Sequence, residues 1–148
     1  MRIAVVTEIS TVSKNNDIIK ALQNTGHTVF NCGMSSDCDG PELTYIHTGL
    51  ISALLLNVNA ADFVIGGCGT GQGYLNPGVS CALVTEPLDA WLAKRINHIN
   101  CLSLALNKGY GWAADLNLGF ILNEILSDEN ADGYPASRAE SQKQSRLL

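Results

Sequence analysis

Residues 61–73 read ADFVIGGCGTGQG: an apolar run passes directly into a loop with five glycines in the eight positions 66–73 and a cysteine among them. Phe63, Val64 and Ile65 have strand composition, and the glycines that follow end the strand. Three uses are open to such a loop: a cradle for an anion, a seat for a reactive thiol, or a tight turn. Reading 61–67 as a strand places the rest of the chain in alternation around it.

Upstream, IAVVT (3–7) is a short β-branched run of the kind buried on both faces of a sheet. In STVSKNNDIIKALQNTGH (10–27), Ile18, Ile19 and Leu22 recur at helical spacing, and Gly26 is placed to end that helix. HTVFNCG (27–33) reads as a second strand and MSSDCDGPE (34–42) as a polar loop. LTYIHTGLISALLLN (43–57) reads as a second helix with a wide apolar face. Downstream, VSCALV (79–84) and NCLSLAL (100–106) are strands. PLDAWLAKRIN (87–97) is a helix with Pro87 in its first turn, and GWAADLNLGFILNEIL (111–126) is a closing helix. The alternation predicts an α/β fold with a five-stranded parallel sheet and helices on both faces. Residues 1–126 form the single domain, and 127–148 form a polar tail without periodicity, either a disordered end or an arm that needs a partner surface to order it.

The ligand edge of such a sheet lies beyond the carboxyl ends of its strands. That edge collects Thr7 and Glu8, the 66–73 loop, Thr85 and Glu86, and the segment around Leu106 and Lys108. A Walker A loop would continue into Lys and Ser or Thr, which do not follow Gly73. The dinucleotide fingerprint fails in its last spacing and belongs after a first strand rather than a third. What remains is a set of backbone amides around Cys68, with Thr70 beside it, and a thiolate stabilised there can act as base or nucleophile. Cys32, Cys81 and Cys101 read as small buried hydrophobes.

Composition narrows the function. The 148 residues carry a net charge of −5, which argues against a nucleic-acid partner but not against a small anion. The longest apolar run is about a dozen residues, short of the roughly 20 that cross a bilayer. Five cysteines (Cys32, Cys38, Cys68, Cys81, Cys101) without a CxxC pair fit reduced thiols in the cytoplasm better than disulfides or a zinc site.

GGCGTGQG resembles the CGTGxG loop of the type B ribose-5-phosphate isomerase and galactose-6-phosphate isomerase family. The order of elements is similar over nearly the whole chain, from an acid after strand one to an arginine in the tail. The resemblance implies a Rossmann-like three-layer sandwich, a homodimer or homotetramer with shared active sites, and aldose–ketose isomerisation of a sugar phosphate without metal or cofactor. It makes Cys68 the base that moves a proton through an enediolate, with Thr70 and the amides of Gly69, Gly71 and Gly73 around the developing anion. It also implies sugar contacts from Glu8 and, from a neighbouring subunit, Asn97.

The chain departs from that family in several places. It has Glu8-Ile9 where members have Asp-His, and Ile96-Asn97 where they have His-Asn, leaving His98 to take over the ring-opening role. In the tail, 133–138 read GYPASR, so of the expected arginines only Arg138 remains; Asn107, beside Lys108, stands where another is usual. The stretch from Gly73 to Gly78 is shorter than the family pattern. Lys108, Arg138 and Arg95 are the cations left for a phosphate, and a substrate other than ribose 5-phosphate is expected. Two other readings compete: a non-catalytic or heteromeric subunit that binds a sugar or sugar phosphate, and a flavodoxin-like nucleotide binder. Among the remaining aromatic and acidic residues, Trp91 and His47 read as packing residues. Tyr110 and Trp112 serve packing or a sugar face, and Glu86 and Asp89 read as helix N-terminal charges.

Overall fold

A computed structural model describes residues 1–37, 39–75, 79–106 and 113–127, the last segment with side chains from 117. Lys108, Arg138, Cys38, Tyr110, Trp112 and the tail from 128 lie outside the described residues. The elements run β1 (Arg2–Thr7), a 3-10 turn (Ile9–Thr11), α1 (Val12–Leu22), β2 (Thr28–Asn31), α2 (Tyr45–Asn57) and β3 (Phe63–Cys68). They continue with β4 (Cys81–Val84), α3 (Pro87–Arg95), β5 (Cys101–Ala105) and α4 (Ala113–Leu126).

The five strands form one sheet in the order β2-β1-β3-β5-β4, and every pairing is parallel. β3 and β5 are buried throughout, as is β1 beyond Arg2, whereas the edge strands β2 and β4 are only partly covered. This matches the continuous apolar runs of the central strands. Side chains alternate between two cores. Ile3, Val5, Phe63, Ile65, Leu102 and Leu104 face α1, α3 and α4, with Ile18, Leu22, Ile121 and Ile125 packed on them. Ala4, Val6, Val64, Cys68 and Cys101 face the opposite way, toward Ile51, Leu55 and Leu56 of α2. The result is the expected three-layer sandwich, with three helices on one face and α2 on the other.

α2 starts at Thr44, whose hydroxyl and amide form a capping box with His47; the Thr44 N–H donates to His47 Nδ1 at 3.1 Å. The helix has no charged residue, and its polarity is inverted. Thr48, Gly49 and Ser52 are buried, while Ile46, Leu50, Leu54 and Val58, four residues apart, stand 67%, 59%, 54% and 68% exposed.

Two sequence readings change here. Gly26 does not terminate α1: the helix stops at Leu22, whose carbonyl accepts the Thr25 hydroxyl at 2.7 Å. Asn24 and Gly26 then take positive φ values of 65° and 77° in the turn into β2. Arg95 is not a cation of the ligand edge. It closes α3 with its side chain 2% exposed, paired with Glu124 of α4 at 3.0 Å and lying over the Trp91 ring at 5.3 Å.

Candidate active site

In this strand order the chain leaves β1 toward β2 and later returns to the other side of β1 with β3. The β1/β3 boundary is thus the topological switch point, where α/β sheets bind ligands. Thr7 pairs with Gly67 there, so the next residues, Glu8 and Cys68, stand at the mouth of that crevice. Cys68 is 6% exposed, on α2's side of the sheet.

The loop after Cys68 is braced on its own strand. The Gly71 N–H and the Leu106 N–H both donate to the Cys68 carbonyl, at 3.1 and 3.0 Å. Ser103 of β5, fully buried, donates its hydroxyl to the Gly71 carbonyl at 2.6 Å. Gly71 has a φ of +75°, and a Cβ there would lie 2.3 Å from Leu83 Cδ1. Gly71 therefore leaves the predicted anion hole: its amide is occupied and its backbone faces inward to the sheet. Gly69 and Gly73 are different. Among the described residues their amides meet no acceptor, and Gly73 and Thr70 lie exposed on the loop. The Thr70 hydroxyl accepts the Gln72 N–H at 3.3 Å and keeps its own proton to donate.

Glu8 is buried at 6% exposure, and its carboxylate caps the 3-10 turn, accepting the Ser10 N–H at 2.9 Å and the Ser10 hydroxyl. A carboxylate has about four acceptor positions, so this cap leaves capacity for ligand hydroxyls. Thr7, fully buried, donates to Asn15 Oδ1 of α1 at 2.8 Å and fixes the end of β1 beneath the crevice.

Asn97 and His98 fall elsewhere. They form the turn between α3 and β5, where His98 takes a φ of 50°. They precede Cys101, whereas Cys68 pairs with Ala105 at the other end of β5. Four strand steps of about 3.3 Å put at least ~13 Å between the two ends. A single chain cannot bring His98 to the Cys68 thiol, because the sheet itself lies between them. Among the described residues, no group of His, Cys, Asp or Glu side chains is placed to hold a metal ion, and no helix is long and apolar enough to cross a membrane.

Behind the loop lies a buried polar cluster that the sequence reading did not single out. Tyr74 is fully buried, with its hydroxyl 2.5 Å from Ser52 Oγ of α2 and 3.6 Å from Cys101 Sγ, which donates to it. Burial pushes the Tyr74 hydroxyl well above its usual range. The neighbouring Cys81 thiol and burial do the same to Cys101, so both groups stay protonated at neutral pH. The signals were modest: an aromatic residue closing a glycine run, and one serine, Ser103, in the apolar strand CLSLA.

The family profile described as Ribose/Galactose Isomerase matches residues 3–131. The crystal structure of ribose-5-phosphate isomerase from Vibrio parahaemolyticus is 42% identical with a TM-score of 0.83, over 99% of this chain and 73% of that one. A 4-deoxy-L-threo-5-hexosulose-uronate ketol-isomerase, solved with a tartrate, is 41% identical with the same TM-score and the same coverage. The ribose 5-phosphate isomerase of Thermotoga maritima shares the fold at 22% identity and a TM-score of 0.77. No curated protein matches the chain by sequence. With this profile, this sheet order and a cysteine-bearing glycine loop at the switch point, the chain belongs to the ribose/galactose isomerase family.

Proposed function

We propose that the chain is an aldose–ketose isomerase acting on a sugar phosphate, with Cys68 as the base. One observation carries the reading: a nearly buried thiol at the β1/β3 switch point, followed by a braced loop with the Gly69 and Gly73 amides available. The Cys68 thiolate removes the proton from C2 of the aldose and returns it to C1. The negative charge passing to the sugar oxygens meets those two amides and the Thr70 hydroxyl. Glu8 receives sugar hydroxyls, and Lys108 and Arg138 supply charge to the phosphate.

The site is completed by a second copy. α2 exposes Ile46, Leu50, Leu54 and Val58 in one uncharged stripe, larger than a surface helix leaves to water, and an identical uncharged helix is its natural cover. In the assembled homodimer or homotetramer, the partner presents its Asn97 and His98 to the Cys68 loop, with His98 opening the sugar ring. Residues 1–126 make the domain, and 127–148 pack on the neighbour, which brings Arg138 into use. Among the described residues, Cys32, Cys68, Cys81 and Cys101 form no disulfide, which suits the reducing cytoplasm.

A second reading of the substrate, an unphosphorylated sugar acid, is favoured by the 41% identity to a hexosulose-uronate ketol-isomerase. A carboxylate needs fewer cations than a phosphate, in keeping with the reduced set in this chain. Following a panel of aldoses, sugar phosphates and sugar acids by NMR decides between them. Conversion of a phosphate supports the first reading, and conversion of a uronate alone supports the second. No conversion by folded, oligomeric protein would overturn both in favour of a non-catalytic subunit.

A further inference from the structure

The Cys68 loop is bound at its start by the β3 strand and in its middle by Ser103, and its far end is bound by Tyr74. That side chain does not point outward with the loop. It turns beneath it and lies on the bare backbone of Gly66, two residues before Cys68 on the same face. A Cβ at Gly66 would lie 2.6 Å from both Tyr74 Cζ and Oη. The ring thus occupies the space that a side chain at 66 would fill.

The hydroxyl end is fixed with a definite direction. Ser52 gives its one hydroxyl proton to the Thr48 carbonyl at 2.7 Å, and a carbonyl can only accept. Tyr74 must therefore donate to Ser52 Oγ, which frees its own lone pair for the Cys101 S–H. The chain of donors runs Cys101 to Tyr74 to Ser52 to Thr48, every member buried and each with an acceptor. It joins β5, the loop and α2 at one point.

We infer that Tyr74 is a positioning residue for the Cys68 loop, holding the thiol and the Gly69 and Gly73 amides in register through its bond to Ser52. The consequence for turnover rests on the proposed role of Cys68; the consequence for loop geometry does not. A reaction that needs base and anion donors within a few tenths of an ångström loses rate before it loses binding when such a brace is cut.

The test uses the full chain with Tyr74→Phe and Ser52→Ala, which break the same hydrogen bond from opposite ends. Ser52 lies on α2, outside the loop, and its hydroxyl bonds only Tyr74 and the Thr48 carbonyl among the described residues. Two readouts are taken: kcat and KM on the best substrate of the panel, and the alkylation rate of Cys68 by iodoacetamide in the absence of substrate, followed on the Cys68 peptide. Both variants are expected to lower kcat about tenfold with KM within about twofold, and to change Cys68 alkylation by a similar factor. The double variant should be no worse than either single one. Unchanged kcat and alkylation in both variants would overturn the inference, as would additive effects. Where the protein turns over no sugar, the proposed function fails and the alkylation arm alone still decides the role of Tyr74. Should Tyr74→Phe not fold, Ser52→Ala carries the same two readouts.

Discussion

Gly71 shows how far a single position can differ from its motif. As one glycine of CGTGQG it reads as an amide donor to a ligand, yet its N–H serves the Cys68 carbonyl and its φ of +75° turns it onto Leu83. Its function is to shape the loop, so Gly71→Ala should lower stability by about 1–3 kcal/mol, from the left-handed backbone and the crowding at Leu83. Chemical denaturation of the variant checks this, and a change near zero would contradict it. Cys68 was legible from its neighbours because a thiol amid glycines is chemically conspicuous. The bracing of the loop was not, because it depends on Ser103 of β5 and on Leu106 just after it, which bond the Gly71 and Cys68 carbonyls from more than thirty residues away in sequence. Tyr74 escaped for the same reason. Inward rotation of a loop aromatic leaves no periodicity to read, and its partners Ser52 and Cys101 come from two other elements.

Among the elements, the strands declared themselves best. IAVVT, DFVIGG and CLSLA are nearly continuous apolar runs, and each is a buried central strand. Helix ends were less legible: Gly26 looked like the stop for α1, but the Thr25 hydroxyl closes the last turn at Leu22. The sequence of α2 predicts a wide apolar face, and the burial of Thr48, Gly49 and Ser52 shows which side faces the sheet. Leu50→Glu on the outer stripe should dissociate the proposed assembly while leaving the helix intact, an outcome measured by analytical ultracentrifugation with circular dichroism. An unchanged sedimentation coefficient would place the interface elsewhere. Where α3 meets α4, Glu124→Gln strips Arg95 of its carboxylate. The expected loss is about 2 kcal/mol, less than for a wholly buried pair because Glu124 keeps contact with water; thermal and urea unfolding measure it. Arg2 of β1 and Asp62, just before β3, pair at 2.6 Å, and hydrogen bonding to Arg2 lowers the Asp62 pKa from 3.8 to about 2. The carboxylate is the form favoured in the folded state, so its contribution is present above pH 4 or so and is lost as pH falls through about 2. In an NMR titration, Arg2→Gln should raise the Asp62 midpoint part of the way toward its ordinary value, because the backbone N–H of residue 2 still donates to Asp62 Oδ2 at 2.7 Å; a midpoint still near 2 would show another cause.

At the scale of the molecule, one face of the sheet carries three helices and the other carries α2 and the glycine loop. The Cys68 crevice opens where those two meet, at the β1/β3 switch. The α/β class and the ligand edge followed from the alternation of strands and helices alone. Asn97 and His98 stand apart from Cys68 in one chain because β5 runs its whole length between them. That separation ties the proposed chemistry to assembly: a lone chain holds the base, and a second copy is needed for the ring-opening group. The measurement that tests the central claim most directly is solvent deuterium exchange. Protein in deuterated water is incubated with each sugar of the panel, alongside Cys68→Ala of matched fold and oligomeric state. Deuterium entering at C1 or C2 with one sugar, and absent with the variant, is the expected result. Exchange that persists in Cys68→Ala would contradict the assignment of Cys68 as the base.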